Sequence, residues 1–255
     1  NAAAPKAWNG NWIRPAKPKF LDHPFPHQRE SMAGFPMTSP VFVALDTTDV
    51  SKAKALAQSL NGLVGGLKLG LEFYTANGPA AVEAVSALGM PVFLDLKLHD
   101  IPNTVAGGMK GVAKLKPALA TIHASGGSAM MRAAMASARE HSPATKVLAV
   151  TILTSIDQEA MSAIGYTGAV LDQVKRLAAL AQESGVDGLV CSPHEVEAVR
   201  ALVGPQMTLV VPGIRPLWSE SGDQKRIMTP AQAIAQGADI LVIGRPITGA
   251  ADPAE

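Results

Sequence analysis

From Val41 onward, short runs of apolar and β-branched residues alternate with alanine-rich stretches whose apolar positions recur at helical spacing. The strand-like runs are Val41–Leu45, Gly62–Leu69, Pro91–Leu98, Leu119–His123, Val147–Leu153, Gly188–Cys191, Thr208–Val211 and Asp239–Ile243, eight in all. Between them the spacing predicts helices over Val50–Leu60, Pro79–Leu88, Thr104–Lys116, Ser128–His141, Leu171–Ser184, His194–Leu202 and Pro230–Gln236. Strict alternation of strand and helix makes the strands parallel, because each crossover returns the chain to the same end of the sheet. Eight such units in about 215 residues fit a closed (β/α)8 TIM barrel. The alternative is an open, doubly wound sheet. Against it, the first strand runs into VALDTTD, Val43 to Asp49, where a dinucleotide-binding sheet carries its glycine-rich turn. At the other end, Ala251–Glu255 reads as a helix start, with Asp252 as cap and Pro253 at the first helical position. Either the last barrel helix is missing from the sequence, or the N-terminal segment covers the strands it would have covered.

Residues 1–40 are set apart from this pattern: they are rich in proline and aromatics and lack apolar periodicity. They read as an irregular arm or extension before a barrel domain at 41–255, with Met37 as a candidate original start. The arm is either loosely attached or ordered through Trp8, Trp12, Phe20 and Phe25. It lacks the basic leader and apolar segment of a secretory signal. Charge adds exclusions: 22 Lys+Arg against 21 Asp+Glu leave no footprint for nucleic acid or a polybasic membrane contact. No apolar run reaches the roughly 18 residues needed to span a bilayer. The single cysteine, Cys191, excludes an internal disulfide and suits a reducing cytoplasm. It reads as a small buried hydrophobe rather than a nucleophile.

The densest chemistry lies in FLDLKLHDIPNT, Phe93 to Thr104. Alternation along a strand sends Asp95, Lys97 and His99 to one face and Leu94, Leu96 and Leu98 to the other. Charges facing into a barrel are costly to desolvate unless paired, and the spacing pairs Asp95 with Lys97, with Asp100 following where the strand ends. Asp46 closes the first strand and Lys68 lies near the end of the second. Barrel active sites gather at the C-terminal ends of the strands, so these charges converge. His99 and His123 read as hydrogen-bonded packing residues.

A second signal follows strands seven and eight. VVPGIRP ends in Arg215 and Pro216, and VIGRPIT carries Gly244 and Arg245. Loops after these two strands form the usual phosphate site of such barrels, from accessible backbone N–H groups and a cation. The stretch Arg215 to Arg226 reads as a mobile lid that adds Gln224 to the phosphate.

These residues resemble the orotidine 5′-phosphate decarboxylase family, bacterial branch, from about Val41 to Pro253. DLKLHDIPNT carries the resemblance, and VALD, GLKLG, VTILTS, VPGIRP, GDQKRIMTP and VIGRP occur in the family's order. The resemblance implies a carboxy-lyase that converts orotidine 5′-phosphate to UMP and CO2 in pyrimidine biosynthesis, without a cofactor. It assigns Lys97 as proton donor, held between Asp95 and Asp100, with Lys68 completing the charge network. Asp46 and Lys68 are expected on ribose hydroxyls and Thr154 (or its neighbour Ser155) near the pyrimidine. Pro212, Arg215, Gln224, Gly244 and Arg245 are expected along the lid and phosphate. Asp100, Ile101 and Thr104 are expected to reach the other subunit's site, which implies a homodimer with shared sites. Two rivals remain: a Mg2+-dependent phospho-sugar decarboxylase or aldolase on the same barrel, and a non-catalytic nucleotide-phosphate binding protein. Lys68 stands where the first rival places a metal-binding carboxylate, although Glu72 is nearby.

Overall fold

The structure is a computed structural model that describes residues 39–216 and 228–254. All eight expected strands form: β1 (Val41–Ala44), β2 (Gly66–Gly70), β3 (Val92–Leu98), β4 (Leu119–His123), β5 (Lys146–Val150), β6 (Gly188–Val190), β7 (Thr208–Val211) and β8 (Ile240–Ile243). Each pairs in parallel with its sequence neighbour, and β8 closes on β1. The architecture is the (β/α)8 barrel.

Two apolar layers hold it. Inside the barrel pack Phe42, Phe93, Leu119, Leu148, Val150, Val210, Ile240 and Val242. The residues that alternate with them, such as Val43, Leu94 and Leu241, face the helices. The Phe42 ring fills the share of the interior that β2 leaves open. A Cβ on Gly66 would stand 2.3 Å from that ring and 2.6 Å from the Pro91 carbonyl oxygen, so only glycine fits. Truncating a ring so buried costs about 3–5 kcal/mol.

The helices are α1 (Val50–Ser59), α2 (Leu71–Ser86), α3 (Pro102–Ala113), α4 (Gly127–His141), α5 (Gln158–Ala163), α6 (Val170–Glu183), α7 (Val196–Val203), α8 (Pro230–Ala235) and α9 (Arg245–Thr248). Three depart from expectation. The helix expected from Pro79 starts at Leu71, because α2 is two helical pieces joined at Gly78, whose φ of 70° breaks the run. Pro79 lacks an N–H and disfavours helical backbone before it, which places the break there. Short α5 has no counterpart among the expected helices; Asp157 caps it by accepting the Ala160 N–H at 3.0 Å. After β8 the chain turns helical at once, in α9, whereas Asp252 opens a turn by accepting the Ala254 N–H at 2.9 Å. The helix read from Asp252 is therefore not formed over 251–254. Residues 1–38, which hold nearly all of the arm, lie outside the described residues.

At the N-terminal end of the strands, two arginine–aspartate pairs tie helices to the sheet: Arg139 with Asp187, and Arg200 with Asp239. Asp187 also accepts the Val147 N–H at 2.8 Å, and Asp239 that of Leu209 at 2.7 Å. Arg200 further donates to the carbonyls of Gly204, Met207 and Gly237 at 2.7–2.8 Å. Among the described residues no helix is long and apolar enough to cross a membrane.

Candidate active site

Four charged side chains form a continuous line across the C-terminal ends of β1, β2 and β3. Lys68 Nζ lies 3.4 Å from Asp46 Oδ1 and 3.7 Å from Asp95 Oδ2, and Lys97 Nζ lies 2.8 Å from the same Asp95 oxygen. The signs alternate along the line, so each charge has an opposite neighbour. Burial is the largest single influence on Asp95 and favours its neutral form. It is outweighed by the charges of Lys97 and Lys68 and by hydrogen bonds from Lys97 and Thr121, which together hold the carboxyl below the usual aspartate range.

Asp95 and Lys97 share a face as alternation predicts, but a local irregularity shapes their meeting. Between Leu94 and Leu98, β3 advances four residues while β4 advances two, from Ala120 to Ile122. The excess residues form a bulge, in which Lys97 takes a φ of 52°, in the left-handed region. Its N–H leaves the normal ladder and donates to Thr121 Oγ1 at 2.9 Å, and that hydroxyl donates to Asp95 Oδ1 at 2.9 Å.

His123, at the end of β4, stands with its ring centre 5.2 Å from that of His99, which is exposed just beyond β3. Burial, then the charges of His99 and Lys97, lower His123 to about 4 against the pull of Asp95. The imidazole is therefore neutral near pH 7 and is no general acid there. Cys191 is buried with its thiol pushed far up, chiefly by burial and then by Glu195, which removes it as a nucleophile.

Across the mouth, Arg215 is only 8% exposed and Arg245 begins α9 on the surface after Gly244. Burial and then the charge of Arg245 lower the Arg215 pKa. Two cations that feel each other's charge, beside the ends of β7 and β8, could together attract an anion. Pro212 and Thr154 lie half-buried at the ends of β7 and β5, and Ser155 is exposed. The segment read as a lid starts from a fixed base. Ile214 bridges to Met228, and the Arg215 N–H donates to the Met228 carbonyl at 2.9 Å. Gln224 lies outside the described residues.

Asp100 is exposed and accepts the N–H of Ile101 at 2.7 Å; within the single chain it is not in ion-pair reach of Lys97. Ile101, 67% exposed, and Thr104 stand beside it at the start of α3. Among the described residues no group of three His, Cys, Asp or Glu side chains is placed to hold a metal ion. Sequence reasoning passed over Thr121. Its signal was a polar residue two places before His123, hence on the same inward face of β4.

Comparison with known proteins shows the family of the chain. The profile described as the orotidine 5′-phosphate decarboxylase / HUMPS family matches residues 39–255. A protein named orotidine 5′-phosphate decarboxylase from Paramagnetospirillum magneticum is 65% identical over 226 residues, 86% of this chain and 95% of its own. Its namesake from Rhodospirillum rubrum is 54% identical, over 85% of this chain and 90% of its own. Among solved structures, orotidine 5′-phosphate decarboxylase from Lactobacillus acidophilus superposes with a TM-score of 0.75 at 36% identity, covering 85% of this chain and 94% of that one. Given a match that spans the whole barrel and relatives this similar, the chain belongs to the orotidine 5′-phosphate decarboxylase / HUMPS family.

Proposed function

We infer that this chain removes CO2 from orotidine 5′-phosphate to give UMP, with Lys97 as the residue that meets the reacting carbon. The observation that carries the reading is the Asp46–Lys68–Asp95–Lys97 line, which ends in an ammonium 2.8 Å from a buried carboxylate. When the bond from C6 of the pyrimidine to the carboxylate breaks, its electron pair stays on C6 and CO2 departs. The ring delocalises that pair poorly, so a fixed positive charge beside C6 lowers the barrier. Lys97 then gives C6 a proton, and UMP results. Its amine recovers a proton from water, which its 27% side-chain exposure allows. Asp95 holds the ammonium at 2.8 Å before reaction. His123, neutral at this pH, leaves Lys97 as the donor.

Distant contacts hold the rest of the nucleotide. Asp46 and Lys68 take ribose hydroxyls, Thr154 approaches the base, and Arg215 and Arg245, with Pro212 and Gly244, receive the phosphate. Binding energy from the phosphate is then available to organise the charges around C6. The reading includes a homodimer in which Asp100, Ile101 and Thr104 reach the partner's site; the exposed Ile101 side chain supports it. It also includes a cytoplasmic location, which a single, free, buried cysteine fits.

The test is the loss of substrate ultraviolet absorbance by purified protein. Activity on orotidine 5′-phosphate is expected to survive EDTA, whereas a Mg2+-dependent sugar-phosphate enzyme would lose its activity. At about 4 Å and moderate dielectric a unit charge is worth about 4 kcal/mol to the carbanion, about 10³-fold in rate. The lost proton donor adds about 10²- to 10⁴-fold. Lys97→Ala is therefore expected to lower kcat by about 10⁵-fold or more while UMP still binds. A folded Lys97→Ala protein within about 100-fold of the parent overturns the role of Lys97.

A further inference from the structure

We propose that Thr121 is a positioning residue for this reaction: its hydroxyl locks the bulge in β3 that aims the Lys97 ammonium at the mouth. The proposal rests on the decarboxylase reading above for its consequence in turnover, but not for its geometry. Thr121 is 1% exposed and its side chain makes two bonds. It accepts the Lys97 backbone N–H at 2.9 Å and donates to Asp95 Oδ1 at 2.9 Å.

One hydroxyl has one hydrogen to give and lone pairs to spare, so both bonds form at once. Each answers a specific need. The bulge takes the Lys97 N–H off the ladder between β3 and β4, and a backbone donor there needs another acceptor. Lys97 also holds a left-handed φ of 52°, which a lysine adopts only when its surroundings enforce it. The neighbours of Thr121 on β4, Ala120 and Ile122, are buried in the layer facing the helices and offer no such acceptor side chain. On the other side, Lys97 and Lys68 engage Asp95 Oδ2, and Thr121 takes Oδ1. The carboxylate is thus fixed from both ends, and the lysine is fixed at its backbone and at its amine. Without the hydroxyl, the peptide before Lys97 is free to rotate toward an ordinary strand conformation. A long side chain amplifies that rotation into a displacement of the amine relative to C6.

Thr121→Val keeps the shape and removes both bonds; Thr121→Ser keeps the hydroxyl and removes a methyl. A displacement of the order of 1 Å at the reacting group costs about 10- to 100-fold, so Thr121→Val is expected to lower kcat by that factor with KM within about threefold. Thr121→Ser is expected to restore kcat. A second readout needs no substrate: hydrogen exchange at the Lys97 amide is expected to quicken at least about tenfold in Thr121→Val and not in Thr121→Ser. If Thr121→Val does not fold, Thr121→Ala carries the same comparison. Parent-like kcat and amide protection in the variant lacking the hydroxyl overturn the proposal. So does a Thr121→Ser protein as impaired as Thr121→Val, since packing and not the hydroxyl would then matter. If the parent chain fails to turn over orotidine 5′-phosphate, the decarboxylase reading falls, and amide exchange still decides whether Thr121 holds Lys97.

Discussion

His123 makes folding itself depend on pH in a way that can be calculated. Its ordinary value is 6.5, and the fold lowers it to about 4 through burial, then the charges of His99 and Lys97, with Asp95 opposing. The unfolded chain binds this proton readily and the folded chain refuses it. Above pH 6.5 both states are neutral at this residue and nothing is lost. As pH falls from there, the unfolded state gains stability that the folded state cannot match. The limit is about 1.4 kcal/mol for each pH unit; the ring is only partly buried, so water screens part of the effect and about 1–2 kcal/mol accumulates by about pH 4. His123→Asn removes the titrating group while keeping a polar side chain at the mouth. Urea unfolding at fixed protein concentration, run at about pH 7.5 and again at about pH 4.5, isolates the effect as a difference of differences. The parent should lose about 1–2 kcal/mol more than His123→Asn over that interval. Equal losses in the two proteins refute the argument, because acid sensitivity would then come from other groups.

Other perturbations probe other parts of the molecule. In the proposed shared-site homodimer, Lys97→Ala and Asp100→Ala proteins, each inactive, should on mixing recover about a quarter of parent activity, because half the dimers would be hybrids with one intact site; no recovery after verified subunit exchange removes Asp100 from the proposed shared site. Arg245→Ala should weaken UMP binding by about 10- to 100-fold, the worth of one charge-assisted hydrogen bond, read by titration calorimetry. Unchanged affinity would place the phosphate elsewhere. At the opposite end of the barrel, Arg200→Ala removes the guanidinium paired with Asp239 and its bonds to three carbonyls. It should lower unfolding free energy by about 2–4 kcal/mol without changing kcat. A shift below about 0.5 kcal/mol would mean that the pair contributes nothing measurable.

Most of the barrel was legible in the sequence because its strands are buried on both faces. Runs such as Leu209–Val211 and Ile240–Ile243 are continuous in apolar residues, and turn formers lie close beyond them. What escaped depends on partners far away in sequence. The four-residue α9 is too short to show a helical period, and α5 hid in a segment rich in polar residues. The β3 bulge is a relation between Leu94–Leu98 and Ala120–Ile122, so nothing within FLDLKLHDIPNT announces it. The same blindness hid Thr121, which taken alone is an ordinary strand former. Asp46, Lys68, Asp95 and Lys97 were easier, since barrel topology alone gathers strand ends. The first helical piece of α2 was missed because Gly78 and Pro79 look like a loop when the backbone on either side is unseen.

The left-handed backbone at Lys97 sets the molecule's two demands against each other. Glycine would sit there with less strain than any other residue, so a search for heat tolerance alone would discard the side chain proposed to meet the reacting carbon. Any programme of directed stabilisation must therefore hold position 97 constant and seek its gains in the opposite rim of the cylinder.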